Sequence, residues 1–418
     1  MMEVGYAQNT EVRVMRVGVG YCDDPDTAAA GVRAASEALL RAGNGSAPCD
    51  LVMLFATARH DAQTLRDAVL SVTGNAPIVG GGAIGTITND CFGYAGDQIG
   101  VACFWLEGAR CDILAEGGLL ENEEAVGERL GRRLKDLGTT PQSPVMLFYD
   151  AIDRTDGLRL LMATWLLAGM ERGLGFLPSL TGAGMMGDYA CSPTQQWIGD
   201  KVAAHHALAL AFSNGVRMDS VIMHGCRPAT RYYKVTKADK QVILEINGRP
   251  ALRFIDELLG SAIPPESYPF FLILGVNRGE KWGEFNENNY ASRLCLAVDK
   301  EHEAIVMFEP DMVEGTEFQI MYRSLDLDYM KPKIEGAFAS LGDREPVFAL
   351  YINCAGRAAG YGGVDMEDAI VLQKTVAGRV PILGIYTGVE IAPIGGRPRG
   401  LDWTGVFCLF STSKGGAS

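Results

Sequence analysis

The feature that most restricts the fold of this chain is a unit that occurs three times. Val52-Met53-Leu54-Phe55 recurs as Val145-Met146-Leu147-Phe148 and, more loosely, as Val347-Phe348-Ala349-Leu350. Each run leads through a helical stretch to an apolar residue or threonine and a glycine turn, at Val79-Gly80, Thr181-Gly182 and Leu383-Gly384. Each turn then enters another apolar run, at 100–104, 208–212 and 405–409. Short apolar runs bounded by glycine read as buried strands, and longer stretches with a 3.6-residue period read as helices. A unit of strand, helix, strand, glycine turn and strand predicts an α/β fold, with mixed sheets layered with helices.

Local signals agree. Val14–Tyr21 reads as a strand, and Asp24, Asp26 and Thr27 supply caps for a helix with Ala28, Val32, Ala35 and Leu39 on one face. Asn122 caps a helix that ends near Gly138. The region between the second and third echoes is different. Thr230–Ile246 alternates like a hairpin, Pro250–Leu259 reads as a helix, and strands follow at Phe270–Val276, Leu294–Val298 and Ala304–Phe308. The turn residues Gly225-Cys226-Arg227-Pro228 place a boundary between domains at 13–224 and 225–411.

The formal net charge of −14 argues against a nucleic-acid partner, because phosphate backbones need a basic face. A single arginine can still hold a carboxylate on an acidic protein. Ten cysteines include no C-x-x-C pair, so they read as reduced thiols and point to the cytoplasm. Met1–Gly5 lacks a signal-peptide pattern, and the apolar stretch Leu160–Met170 is shorter than the ~20 residues a bilayer requires. No membrane insertion is expected.

Two G-x-G-x-x-G matches, at Gly80–Gly85 and Gly182–Gly187, follow strands as a dinucleotide fingerprint would. Neither opens a helix, since the chain continues as Thr86-Ile87-Thr88 and Asp188-Tyr189-Ala190. The pyrophosphate site of that motif is a helix N-terminus, so the nucleotide reading is set aside. Histidines number five and do not cluster as metal ligands.

Polar groups concentrate instead in two segments of the last quarter. Tyr351–Arg357 follows the strand Val347–Leu350, and Gly384–Pro393 follows Val380–Leu383. If these strands are neighbours, Cys354, Arg357, Tyr386 and Glu390 converge at one end of a sheet, where open α/β folds bind ligands. An arginine beside a glutamate suits the two ends of a zwitterion, or else the two form an internal ion pair. Cys354 is also a candidate nucleophile, although no histidine lies near it in sequence.

These residues resemble the FIST-domain family of bacterial sensory modules, which has paired N- and C-terminal segments. The similarity rests on Cys354-Ala355-Gly356-Arg357, Gly384–Pro393, Gly225-Cys226-Arg227-Pro228 and Asn247–Ala251. It extends more loosely to Leu51–Ala56 and Val79–Gly85, and spans about residues 13–411. Val389 stands where the family has glycine, and Thr86 where its N-terminal segment often has an acid. The resemblance implies two FIST-type halves and a small ligand, with amino acids the usual proposal. It places ligand contacts at Cys354, Arg357, Tyr386 and Glu390, with secondary ones at Gly80, Gly82 and Gly85. No cofactor is expected. The alternative it carries is a haem-binding, nitric-oxide-responsive protein, with His60 or His224 as axial ligand. With no output domain before Ser418, a separate signalling partner is expected.

Overall fold

The computed structural model describes residues 15–43, 48–260 and 263–413; Met1–Gly5, Val14 and Ser418 lie outside them. The first unit runs β1 (Arg16–Asp23), α1 (Thr27–Arg41), β2 (Leu51–Ala56), α2 (Ala62–Thr73), β3 (Ile78–Gly82), β4 (Gly85–Thr88), β5 (Phe92–Tyr94) and β6 (Gln98–Trp105). The second repeats it as β7 (Arg110–Gly117), α3 (Glu123–Asp136), β8 (Pro144–Asp150), α4 (Ala163–Leu174), β9 (Ser179–Met185), β10 (Gln196–Gly199), β11 (Lys201–Ala203) and β12 (His206–Ser213). The third comprises β13 (Arg217–Met223), α5 (Met330–Ala339), β14 (Arg344–Cys354), α6 (Asp368–Val376), β15 (Ile382–Thr387), β16 (Val389–Ile394), β17 (Arg397–Leu401) and β18 (Gly405–Ser413).

The three sheets have the orders β1-β6-β2-β3-β10-β11, β7-β12-β8-β9-β16-β17 and β13-β18-β14-β15-β4-β5. In each, one central pair is parallel: β2 with β3, β8 with β9, and β14 with β15. Each unit sends its hairpin to another unit's sheet. β4–β5 completes the third sheet, β10–β11 the first and β16–β17 the second. The registers match around the ring. Thr86 lies opposite Ile385, Gln196 opposite Gly81, and Glu390 opposite Ala183. Those partners lie beside Ile352, Phe55 and Phe148 of the parallel neighbours. Thr86, Gln196 and Glu390 are therefore equivalent positions, as are Ile84, Met186 and Gly388 just outside the strands. Gly80, Gly182 and Gly384 pair with Leu54, Leu147 and Tyr351, so the third echo lies at Tyr351 and not at Ala349. A bulge between Pro346 and Phe348 accompanies that displacement.

The inner faces of the three sheets share one apolar core. Edge-on contacts join them two at a time: Phe55–Phe148 at 5.3 Å, Phe104–Phe348 at 5.1 Å and Phe212–Phe410 at 5.4 Å between ring centroids. Each outer face is covered by its own helices, giving three further cores. Helix starts follow the expected chemistry, with Asp26, Asp61 and Asn122 accepting from Ala29, Thr64 and Ala125 amides at 3.0, 2.8 and 2.8 Å. α3 and α4 approach closely through glycines: a Cβ on Gly169 would lie 1.9 Å from the Glu124 carbonyl oxygen, and one on Gly127 2.0 Å from that of Leu166.

Residues 226–323 are inserted between β13 and α5 as an eight-stranded antiparallel sheet with its own core. The turn at Gly225–Pro228 thus opens the insertion. Sheets continue across that point, because β13 pairs with β18 and β9 with β16. Among the described residues, no helix is long and apolar enough to cross a membrane.

Candidate functional site

A cavity of about 210 Å³ opens where the three units meet, beyond the C-terminal ends of the parallel strand pairs. The equivalent residues Ile84, Met186 and Gly388 all line it, so it lies on the approximate threefold axis. The insertion adds Leu294, Leu296 and Phe308 as one wall. Tyr189 and Tyr361 line it as a stacked pair, with ring centroids 5.1 Å apart. The surface is largely apolar except at Cys354, Thr387 and Asp402.

Behind that polar end is a group of acids. Cys354 ends β14, and its amide donates to the Thr404 carbonyl at 3.1 Å. Burial raises its thiol well above the ordinary range, and the neighbouring Glu390 carboxyl raises it further. Glu390, on β16, is fully buried next to the Cys354 thiol. Its Oε2 accepts from the Thr404 amide at 3.1 Å, while Oε1 has no partner. Burial, and then Asp402, push this carboxyl well above the carboxylate range. Asp402 Oδ2 accepts from the Leu294 amide of the insertion at 3.0 Å, and Oδ1 has no partner. Burial lifts its carboxyl to about 7 against the pull of Arg293.

The other sequence candidates fall elsewhere. Arg357 is buried, with Nε 3.0 Å from Asp368 and 3.2 Å from Asn353 Oδ1. Its remaining nitrogens donate to the His224 carbonyl at 3.0 Å and the Tyr329 hydroxyl at 2.8 Å. Its ion pair is with Asp368, and no direct pair to Glu390 forms. Tyr386 is buried within β15; its hydroxyl donates to Glu367 at 3.1 Å, and its ring meets Tyr94 edge-on. The expected convergence therefore brings Cys354 and Glu390 together but leaves Arg357 and Tyr386 in adjoining structural networks. Gly80, Gly82 and Gly85 sit where strands approach closely: a Cβ on Gly80 would lie 2.0 Å from the Leu54 oxygen, and one on Gly85 2.1 Å from that of Gly93. None of the three lines the cavity.

The histidines do not suit haem. His60 uses Nδ1 with the Thr27 hydroxyl at 3.0 Å and Nε2 with the Asp97 carbonyl at 2.8 Å. His224 accepts the Cys226 amide on Nδ1 at 2.9 Å and faces the Glu287 carbonyl through Nε2 at 3.3 Å. Burial lowers His224 to about 4, and neither ring lines the apolar cavity that a macrocycle would need. The nucleophile reading meets a related obstacle, because Cys354 is held as a neutral thiol with no histidine lining its cavity.

Sequence reasoning misses Asp402. The signal for it is a lone acid between the apolar strands Arg397–Leu401 and Gly405–Ser413.

Comparison with known proteins gives the fold a family. The chain is 26% identical over 405 residues to an uncharacterized protein of Mycobacterium bovis, covering 95% of this chain and 99% of that one. It is 30% identical over 199 residues to an uncharacterized protein of Mycobacterium tuberculosis, covering 47% and 51%. Among solved structures, a chorismatase aligns over 96% of this chain and 100% of its own, at 12% identity and a TM-score of 0.33. A cyanuric acid hydrolase from A. caulinodans aligns over the same shares at 9% identity and a TM-score of 0.37. The FIST N domain matches residues 50–249 and the FIST C domain residues 251–393. With both domains in sequence, the chain belongs to the FIST family, whose domains are associated with sensory signal transduction.

Proposed function

We propose that this protein is a small-molecule-binding sensor whose ligand carries an amino group on a short apolar body, such as an apolar amino acid or the matching amine. The observation that carries this reading is the axial cavity, apolar along its walls and closed by Asp402 and Cys354. Asp402 Oδ1 lacks a donor, and an ammonium supplies one. The volume of about 210 Å³ falls below the roughly 300–1,000 Å³ of drug-sized sites, which favours a small ligand. Arg357 is committed to Asp368, so an amino acid would turn its carboxylate toward the mouth instead of toward a buried cation. Ten free cysteines support a reducing, cytoplasmic setting, and a separate protein would receive the signal.

Thermal unfolding with isobutylamine, leucine, phenylalanine and haem tests the reading. An amine or apolar amino acid at about 100 times its dissociation constant should add about 2.7 kcal/mol, and Asp402→Asn should abolish the shift. A shift with haem alone, or none with any amine, sinks it. Binding should also tighten about tenfold per pH unit up to about 7, as Asp402 ionises, and level off above.

A further inference from the structure

Away from the axial cavity, four arginines gather where the insertion meets the third unit's hairpin. Arg278 follows the insertion strand Ile273–Asn277, Arg293 lies in the strand Tyr290–Asp299, and Arg397 and Arg399 lie in β17. Asp311 is shared between two of them. Arg293 grips it through Nε and Nη2 at 2.6 Å each, and Arg278 Nη2 reaches it at 3.3 Å. Arg397 pairs with Glu171 at 2.6 Å. The Arg399 side chain makes no hydrogen bond or ion pair among the described residues, and the buried Nε atoms of Arg278 and Arg399 both lack a partner.

Two other acids face this group from the interior. Glu309 is occupied at the start of α4, accepting the Ala163 and Thr164 amides at 3.2 and 2.9 Å. Asp402 faces Arg293 from the cavity side. These acids do not balance the local field at Arg399. Burial, with Arg278, Arg293 and Arg397 beside it, lowers Arg399 to about 10 despite Asp311. Arginines that repel one another and leave donors unused are stabilised by an anion that bridges them. The planar guanidinium fork suits an oxyanion in particular.

We propose that Arg278 and Arg399, with Arg397 at the rim, form a binding site for a tetrahedral oxyanion, either inorganic phosphate or the phosphate group of a small ester. The site joins the insertion to the hairpin that carries Glu390, so occupancy fastens the two together. Arg278 already packs on the tip of that hairpin, where a Cβ on Gly395 would lie 3.4 Å from its own Cβ.

Calorimetric titration of the full chain with inorganic phosphate, at constant ionic strength set by chloride, tests the proposal. Saturable one-site binding is expected, weakened about tenfold or more in Arg399→Gln and in Arg278→Gln, and unchanged in Arg59→Gln. Both half-exposed substitutions should leave the fold intact, as circular dichroism would verify. Absence of saturable binding, or equal affinity in all variants, overturns the site. Acetate binding as tightly as phosphate overturns the tetrahedral class.

Discussion

A single carboxyl, that of Asp402, gives the clearest residue-level prediction. Its folded-state value of about 7 lies above its ordinary 3.8, so ionisation costs the folded state more than the unfolded one. The stability it allows is fully present below about 4 and is lost as pH rises through about 7, at ~1.4 kcal/mol per unit. Asp402→Asn keeps an acceptor for the Leu294 amide and removes that loss. Urea unfolding at pH 5 and pH 8 should therefore show a smaller decline in the variant, by a few kcal/mol on the order of magnitude set by linkage. Equal declines would place Asp402 in a wetter site than its full burial implies. Cys354 and Glu390 are legible in the sequence because they flank strand ends in polar, glycine-rich segments. Arg357 is legible as an isolated cation, but its partner Asp368 sits at the start of α6, where nothing in the linear pattern links the two.

At the scale of elements, the helix pair α3–α4 depends on glycine more than on apolar periodicity. Gly127 and Gly131 face Gly169 and Gly173, and the backbones approach within the space of the missing Cβ atoms. Gly169→Ala should destabilise by about 1–3 kcal/mol, since a methyl group 1.9 Å from the Glu124 oxygen forces the helices apart. Chemical denaturation measures this directly, and an unchanged midpoint would mean that the pair yields without cost. The strands and helices are readable because period and turn chemistry are local: Leu51–Ala56 matches its predicted bounds, and Asn122 caps the helix expected of it. Hairpin exchange is not readable. β4 pairs with β15 almost three hundred residues later, and no local preference specifies so distant a partner.

For the whole molecule, this exchange makes the cut at 224 and 225 a test of architecture. Residues 13–224 contain the first sheet entire, but the second lacks β16–β17, and β4–β5 has no sheet to join. Produced alone, this half should expose strand edges and aggregate, whereas a chain lacking only the 226–323 insertion keeps every core pairing. Size-exclusion chromatography and near-ultraviolet circular dichroism of both pieces would tell. A monomeric, natively packed 13–224 fragment would contradict the ring of exchanged hairpins.

One unit of this fold, considered alone, has an open strand edge and an arm shaped for that same edge on a neighbour. Such a head-to-tail surface closes after three steps of one-third of a turn, the geometry of a cyclic trimer. Here the three subunits of that trimer are joined end to end in one polypeptide. Fusion fixes the stoichiometry at one of each and frees the three copies from being identical. A true trimer would have to carry the same side chain at all three arm positions, and would place three carboxyls, three amides or three hydroxyls around its axis. The single chain instead holds Thr86, Gln196 and Glu390 at those positions, so its interior carries one carboxyl there in place of three that would repel one another.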